Sequence, residues 1–189
     1  MKGVIIAELV RWIEQAFSPA VADAVITRSK VPGDGVYTTV GNYPHTDALA
    51  LMGALAEISG QPVPELADAY GFWLASRFME LYPEMFEGYT DAVTFLRDVD
   101  GQHHREVTKL YPDARTPSIV VVIDGEELTV SYGSHRPLAD IAHGLVRGYI
   151  AYYGDDLEVV RDPGAPGPHA ARVLVRAPAR LTPDRLSAV

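Results

Sequence analysis

The chain has 189 residues, 48% of them hydrophobic and 22% charged, which suits a globular protein with a sizeable core. A formal net charge of -9 argues against a nucleic-acid binder and against adsorption to an anionic membrane surface. With no cysteine, disulfides, iron–sulfur clusters and thiolate-ligated zinc are all excluded.

The opening Met1-Lys2-Gly3-Val4-Ile5-Ile6 resembles the start of a short signal sequence, but Glu8, Arg11 and Glu14 interrupt the apolar run. No apolar stretch approaches the roughly 20 residues of a spanning helix, so a cytoplasmic protein with no membrane partner is expected. Residues 3–17 instead predict a helix with two apolar stripes, Ile6/Val10/Ile13/Phe17 and Ile5/Leu9/Trp12. Glu8, Arg11 and Gln15 are assigned to its solvent side. A second short helix over 19–28 starts at Ser18-Pro19, and 32–35 is a turn cluster. A third helix covers Ala48 to Ile58 and stops at Gly60. The next, Pro64 to Leu81, carries Leu66, Tyr70, Leu74 and Phe78 at helical spacing and is ended by Pro83. Helical pattern resumes from Tyr89 to Val99. Gly101 then marks a break before the segment with His103 and His104, which runs to Leu110 and stops at Tyr111-Pro112.

From there the character changes. Ser118 to Ile123 is β-branched, Asp124-Gly125 is a hairpin signal, and Leu128 to Tyr132 is the return strand. Residues 137–153 are helical again. Short strands at Leu157–Val160 and Val173–Val175 flank a Pro/Gly loop over 162–168, and the tail 177–189 is unpatterned and expected to be flexible. The order gives an α+β fold: a predominantly helical, two-lobed domain over 1–176 with a small antiparallel sheet of about four strands. Its N-terminal helical part would be 1–60, and 61–176 would carry the chemistry.

Two clusters stand out chemically. A single histidine on a polar-flanked helix is commonly a surface residue. His103 and His104 are adjacent, about 100° apart on a helix, and would not readily bind one metal from the same side. His104 is distinguished by its place one turn before Thr108, on the face of Val107 and Leu110. Tyr132, Ser134 and Arg136 alternate along an extended segment, so they should share a face. Two hydroxyls and a guanidinium would suit paired carboxylates; they could equally be an ordinary polar strand edge.

Taken together, HREVTKLYP over 104–112, Pro117, and Tyr132-x-Ser134-x-Arg136 resemble the heme-nitric oxide/oxygen-binding (H-NOX) family. That family includes the heme domain of soluble guanylate cyclase and bacterial stand-alone relatives. The Met1–Ile5 opening and Tyr70-Gly71 fit as well, and the likeness spans about 1–176. The resemblance implies a non-covalent heme b, iron protoporphyrin IX, with His104 rather than His103 as the iron's proximal ligand. Tyr132, Ser134 and Arg136 would hold the propionates, and Pro117 would press on the porphyrin. Ile141 falls at the position where oxygen-binding members place a tyrosine donor. The other implied pocket residues are Ile5, Leu9, Leu74, Phe78 and Leu145, all apolar. The resemblance thus implies a sensor of nitric oxide and carbon monoxide rather than an enzyme, signalling to a separate histidine kinase or cyclic-dinucleotide enzyme. The alternatives are an oxygen-binding heme sensor, if Tyr70, Trp73 or Tyr149 supplies a donor, and a small enzyme or interaction domain without heme.

Overall fold

Helix α1 (Gly3–Ala16) buries Ile6 and Ile13 of one apolar stripe and Leu9 and Trp12 of the other. The computed structural model to which it belongs describes residues 1–110, 115–124, 127–162 and 167–176. The predicted helix end at Tyr111-Pro112, the Gly125 turn, most of the 162–168 loop and the tail 177–189 lie outside the described residues. By internal contacts the chain divides into two compact units, Met1–Tyr70 and the part from Gly71 onward.

In the first unit α1 is followed by α2 (Pro19–Ser29) and α3 (His45–Ser59). Ser18 caps α2 by accepting the Val21 N–H at 3.2 Å, and Pro19 takes the first turn, where its missing N–H costs nothing. Trp12 lies edge-on to Phe17 and tilted against Tyr70, with ring centroids 5.8 and 5.6 Å apart. Glu8 departs from its assigned solvent position: it is 5% exposed, whereas Arg11 and Gln15 are exposed as expected. Near it the Tyr70 phenol is pushed well above its usual range, first by burial and then by the Glu8 charge. A helix face read as polar from spacing is therefore partly buried, and the Glu8 charge is felt by Tyr70, a residue far along the chain.

Helix α4 (Val63–Leu81) runs across the boundary between the units. In the second unit it is followed by α5 (Ala92–Asp98), a π-helical turn (Val99–His103), α6 (His104–Leu110), β1 (Ser118–Asp124), β2 (Glu127–Gly133), α7 (Ala139–Tyr153), β3 (Glu158–Arg161) and β4 (Ala170–Arg176). The strands form one antiparallel sheet in the order β1-β2-β4-β3. The last strand thus inserts beside β2, and the predicted second strand pair joins the hairpin in a single sheet. Alternation decides which face is covered. Leu128, Val130 and Tyr132 of β2 and Ala171, Val173 and Val175 of β4 are buried, while Val120 and Val122 on β1 are exposed. The covered face packs with Ala75 and Met79 of α4, Phe95 and Leu96 of α5, and Val146, Tyr149 and Ile150 of α7. Each of the larger aliphatic or phenylalanine side chains among them contributes about 1.5–3 kcal/mol by leaving water.

The break expected at Gly101 is not there. The chain stays helical from Ala92 to Leu110 and accommodates the glycine in the π-turn. Asp91 caps this stretch, accepting the Thr94 N–H at 2.8 Å, and Asp155 accepts the Ala92 N–H at 2.8 Å. Two orphan donors are satisfied at one helix start, which fixes where the histidine-bearing segment begins.

Candidate functional site

The π-turn controls how the two histidines face. His103 is 8% exposed, its ring 5.0 Å from Phe95 and 5.5 Å from Tyr89. Its Nε2 is buried without a hydrogen-bond partner, and burial holds its pKa below the usual 6.5, partly offset by Asp98. A ring so enclosed serves as a packing element of the core. His104 is half-buried, and its Nδ1 lies 3.1 Å from Asp100 Oδ1. One turn on, Thr108 Oγ1 donates to the His104 carbonyl at 2.8 Å. With Nδ1 engaged by Asp100, Nε2 is the nitrogen His104 has left to offer a metal.

Tyr132, Ser134 and Arg136, the candidates for holding carboxylates, are assembled differently from the expected alternating strand. Only Tyr132 lies on β2; Ser134 and Arg136 belong to the bend that leads into α7. The bend is pinned from both sides. The Ser134 N–H donates to the His169 carbonyl at 2.9 Å, the Arg136 N–H to Ser134 Oγ at 3.1 Å, and Arg136 Nη1 to the Arg115 carbonyl at 2.7 Å. The Tyr132 phenol is raised by burial, opposed by its hydrogen bond with Ser134 and by the Arg136 charge. Burial in turn lowers the Arg136 guanidinium somewhat. The three groups therefore do meet, through the bend rather than through strand alternation. Pro117 is adjacent in register: it immediately precedes Ser118, which pairs with Gly133. The same strand β1 also touches the π-turn that presents His104.

The apolar candidates of the second unit lie where α4 and α7 approach each other. A Cβ on Gly71 would stand 2.2 Å from the Ile141 carbonyl oxygen, and one on Gly148 2.5 Å from the Ala75 Cβ. Only glycine permits this approach. Leu74 and Ile141 are buried here, and Phe78 and Leu145 are half-buried. In the first unit Leu9 is buried and Ile5 half-buried. The three possible donors are accounted for in part. Tyr70 donates its hydroxyl to the Ile5 carbonyl. Tyr149 is packed among Phe86 and Phe95, its phenol raised mainly by burial. The Trp73 ring receives the Arg77 guanidinium at 5.8 Å.

This donor set fits a heme. It provides one imidazole with an available nitrogen, two hydroxyls and a guanidinium of suitable charge for two propionates, and, within the second unit, hydrocarbon side chains on α4 and α7. No group of three or more His, Asp or Glu that could hold a metal ion by themselves occurs among the described residues. Spacing alone did not reveal Asp100, the Arg115 carbonyl or the two glycines. Asp100 stands four residues before His104, a helical separation that reading Gly101 as a break concealed.

A model of the family described as Haem-NO-binding matches residues 2–161. Among solved structures, the unliganded Fe(II) H-NOX protein from K. algicida is 26% identical with a TM-score of 0.85, over 96% of this chain and 99% of that one. The H-NOX from Shewanella woodyi, in its Fe(II)CO ligation state, is 29% identical with a TM-score of 0.79, over 96% and 97%. An H-NOX protein from S. oneidensis in the Fe(II)NO state is 20% identical with a TM-score of 0.83, over 93% and 98%, a likeness of fold. A search of curated proteins returned no match.

Proposed function

Because this chain belongs to the Haem-NO-binding family of heme-binding domains, we propose that it is a gas sensor that takes nitric oxide and carbon monoxide in preference to oxygen. The bound heme would supply a ferrous centre to which a small gas can add. His104 would be its protein ligand through Nε2. Tyr132, Ser134 and Arg136 would bind the propionates, and Pro117, beside them in register, would bear on the macrocycle. Arg136 suits this task because one guanidinium N–H is already tied to the Arg115 carbonyl. That bond holds the planar fork in place, and a guanidinium carries five N–H groups in all.

The gas preference rests on one observation: Ile5, Leu9, Leu74, Phe78, Ile141 and Leu145 carry no hydrogen-bond donor, and the nearby Tyr70 hydroxyl is already given to the Ile5 carbonyl. Bound oxygen draws negative charge and gains from a donor, whereas nitric oxide and carbon monoxide need less help. Loosening of the hold on His104 when a gas binds would release α6, the two-state element read by a separate partner protein. The resemblance points to a histidine kinase or a cyclic-dinucleotide enzyme in the cytoplasm as that partner.

The test is the absorption spectrum of the dithionite-reduced holoprotein, taken before and after air and then with nitric oxide. The expected result is a Soret band unchanged by oxygen and shifted to the blue by nitric oxide. A stable oxygen complex would overturn the preference.

A further inference from the structure

Among the polar contacts on the histidine-bearing helix, one has a consequence for ligand strength. Asp100 lies within the π-turn, and its Oδ1 is 3.1 Å from His104 Nδ1. The histidine side chain is 18% exposed and the aspartate 44%. A partly screened carboxylate thus faces a mostly covered imidazole. Its neighbours on the same helix are engaged elsewhere: Glu106 takes the Lys109 ammonium at 2.6 Å, and Asp98 accepts the Tyr89 hydroxyl at 3.0 Å. His103, the adjacent ring, is turned into the aromatic core.

We propose that Asp100 is a positioning residue that fixes the tautomer of His104 and strengthens its bond to iron, and so sets how readily gas binding releases it. This inference rests on the reading of His104 as the iron ligand. With the carboxylate accepting from Nδ1–H, the proton is held on that nitrogen and the Nε2 lone pair is left for the metal. Negative charge against Nδ1–H makes the imidazole a stronger donor, as carboxylate partners of metal-bound histidines generally do. The energy of the contact is limited by the exposure of Asp100. It therefore acts as an adjustment of the threshold for release, not as an all-or-none determinant. Because the π-turn carries both the carboxylate and the residue before the ligand, any unwinding of it would alter the contact and the iron bond together.

Two measurements on Asp100→Asn and Asp100→Ala test this. In the heme-free protein, nitrogen-15 NMR of the His104 ring should show the Nδ1–H tautomer in the parent and a shift toward the Nε2–H tautomer in both variants. In the reduced holoprotein, resonance Raman should show a downward shift of the iron–histidine stretch. The nitric oxide complex should have a larger five-coordinate fraction, and heme affinity should fall about 10-fold. Asp100→Glu, which keeps the charge, should restore part of the shift. An unchanged tautomer, or an unchanged stretch with unchanged nitric oxide coordination, would overturn the proposal. His104→Gly separates the two readings. If that variant keeps the native Soret band without imidazole, the ligand assignment itself fails, whereas loss of the band alongside silent Asp100 variants refutes only the role of Asp100.

Discussion

Helix α7 and the stretch from α5 to α6 belong to the same unit yet are held by opposite means. At α7 the backbones themselves meet, through Gly71 against the Ile141 carbonyl and Gly148 against Ala75. One face of the helix is closed by Val146, Tyr149 and Ile150. The other stretch is well anchored only at its start, by the Asp91 and Asp155 caps and by Phe95 and Leu96 in the core. Past the π-turn, Arg105, Glu106, Thr108 and Lys109 of α6 are exposed, and its polar contacts run mostly along the helix itself. A glycine-tight crossing has little room to shift, since packed backbone has no rotamer to change. A short helix with few buried contacts sits toward the low-stability end. On the proposed reading, this contrast would put the fixed part of the site on α7 and the movable part at His104.

The comparison can be broken most severely at the ligand. His104→Gly should abolish stable heme retention and recover it when imidazole is supplied, read from the Soret band. A native band without imidazole would move the ligand elsewhere. Ile141→Tyr places a donor on the fixed helix. A hydrogen bond to a charged acceptor contributes about 1.5–3 kcal/mol, so the oxygen complex should persist roughly 10- to 100-fold longer than in the parent, as followed by stopped-flow absorbance. An unaltered lifetime would show that position 141 does not face the gas. Gly71→Ala tests whether the crossing is as tight as the 2.2 Å approach indicates. Overpacking costs about 1–3 kcal/mol. Here the cost should sit at the upper end, because the obstacle is backbone, and it outweighs the roughly 1 kcal/mol of helix propensity gained. Tm should fall, and an equal or higher Tm would refute the close contact.

The smallest effect concerns the histidine that faces the core. Its folded pKa lies below the ordinary 6.5 because of burial. The unfolded chain therefore binds the extra proton first, and stability is lost as pH falls below that value. His103→Leu should remove part of this acid loss. It should also stabilise the heme-free protein at pH 7 by about 1 kcal/mol, since a buried nitrogen without a partner is eliminated. Urea titrations at pH 7.5 and pH 5 would show it, and parallel curves for parent and variant would contradict the role given to burial.

How much of this was legible depended on the range of the interaction. The helix of Pro64–Leu81, the β-branched run of β1 and the stop at Pro83 follow from local sterics and periodicity, and all three are found in the structure. The burial of Glu8 could not be read from helical spacing, which assigns faces within one helix and says nothing of what packs against them. The Glu8 charge acts on Tyr70, sixty-two residues away along the chain. The π-turn was hidden by the habit of treating a helical glycine as a break, although Gly101 is absorbed without interrupting the segment. Tyr132, Ser134 and Arg136 were found as a group but on the wrong local geometry. What brings them together is a bend tied to His169 and Arg115, partners that no spacing rule connects. Gly71 drew notice only as part of the family resemblance and Gly148 only as one position of a helical pattern, since a glycine required by a close crossing reads like any other.

Among the described residues the sheet order leaves β1 at an edge, with no ladder partner on its outer side and with Val120 and Val122 exposed. Pro117, at the threshold of that strand, lacks an N–H, a defect that an interior strand would register as a lost ladder bond and an edge tolerates. Amide hydrogen exchange would carry the imprint of this arrangement. Along β1 the amides paired with β2 should be slow and those between them fast, an alternation absent from β2, which is paired on both sides. The segment that carries the proline could therefore be followed in solution, residue by residue, without any probe attached to the protein.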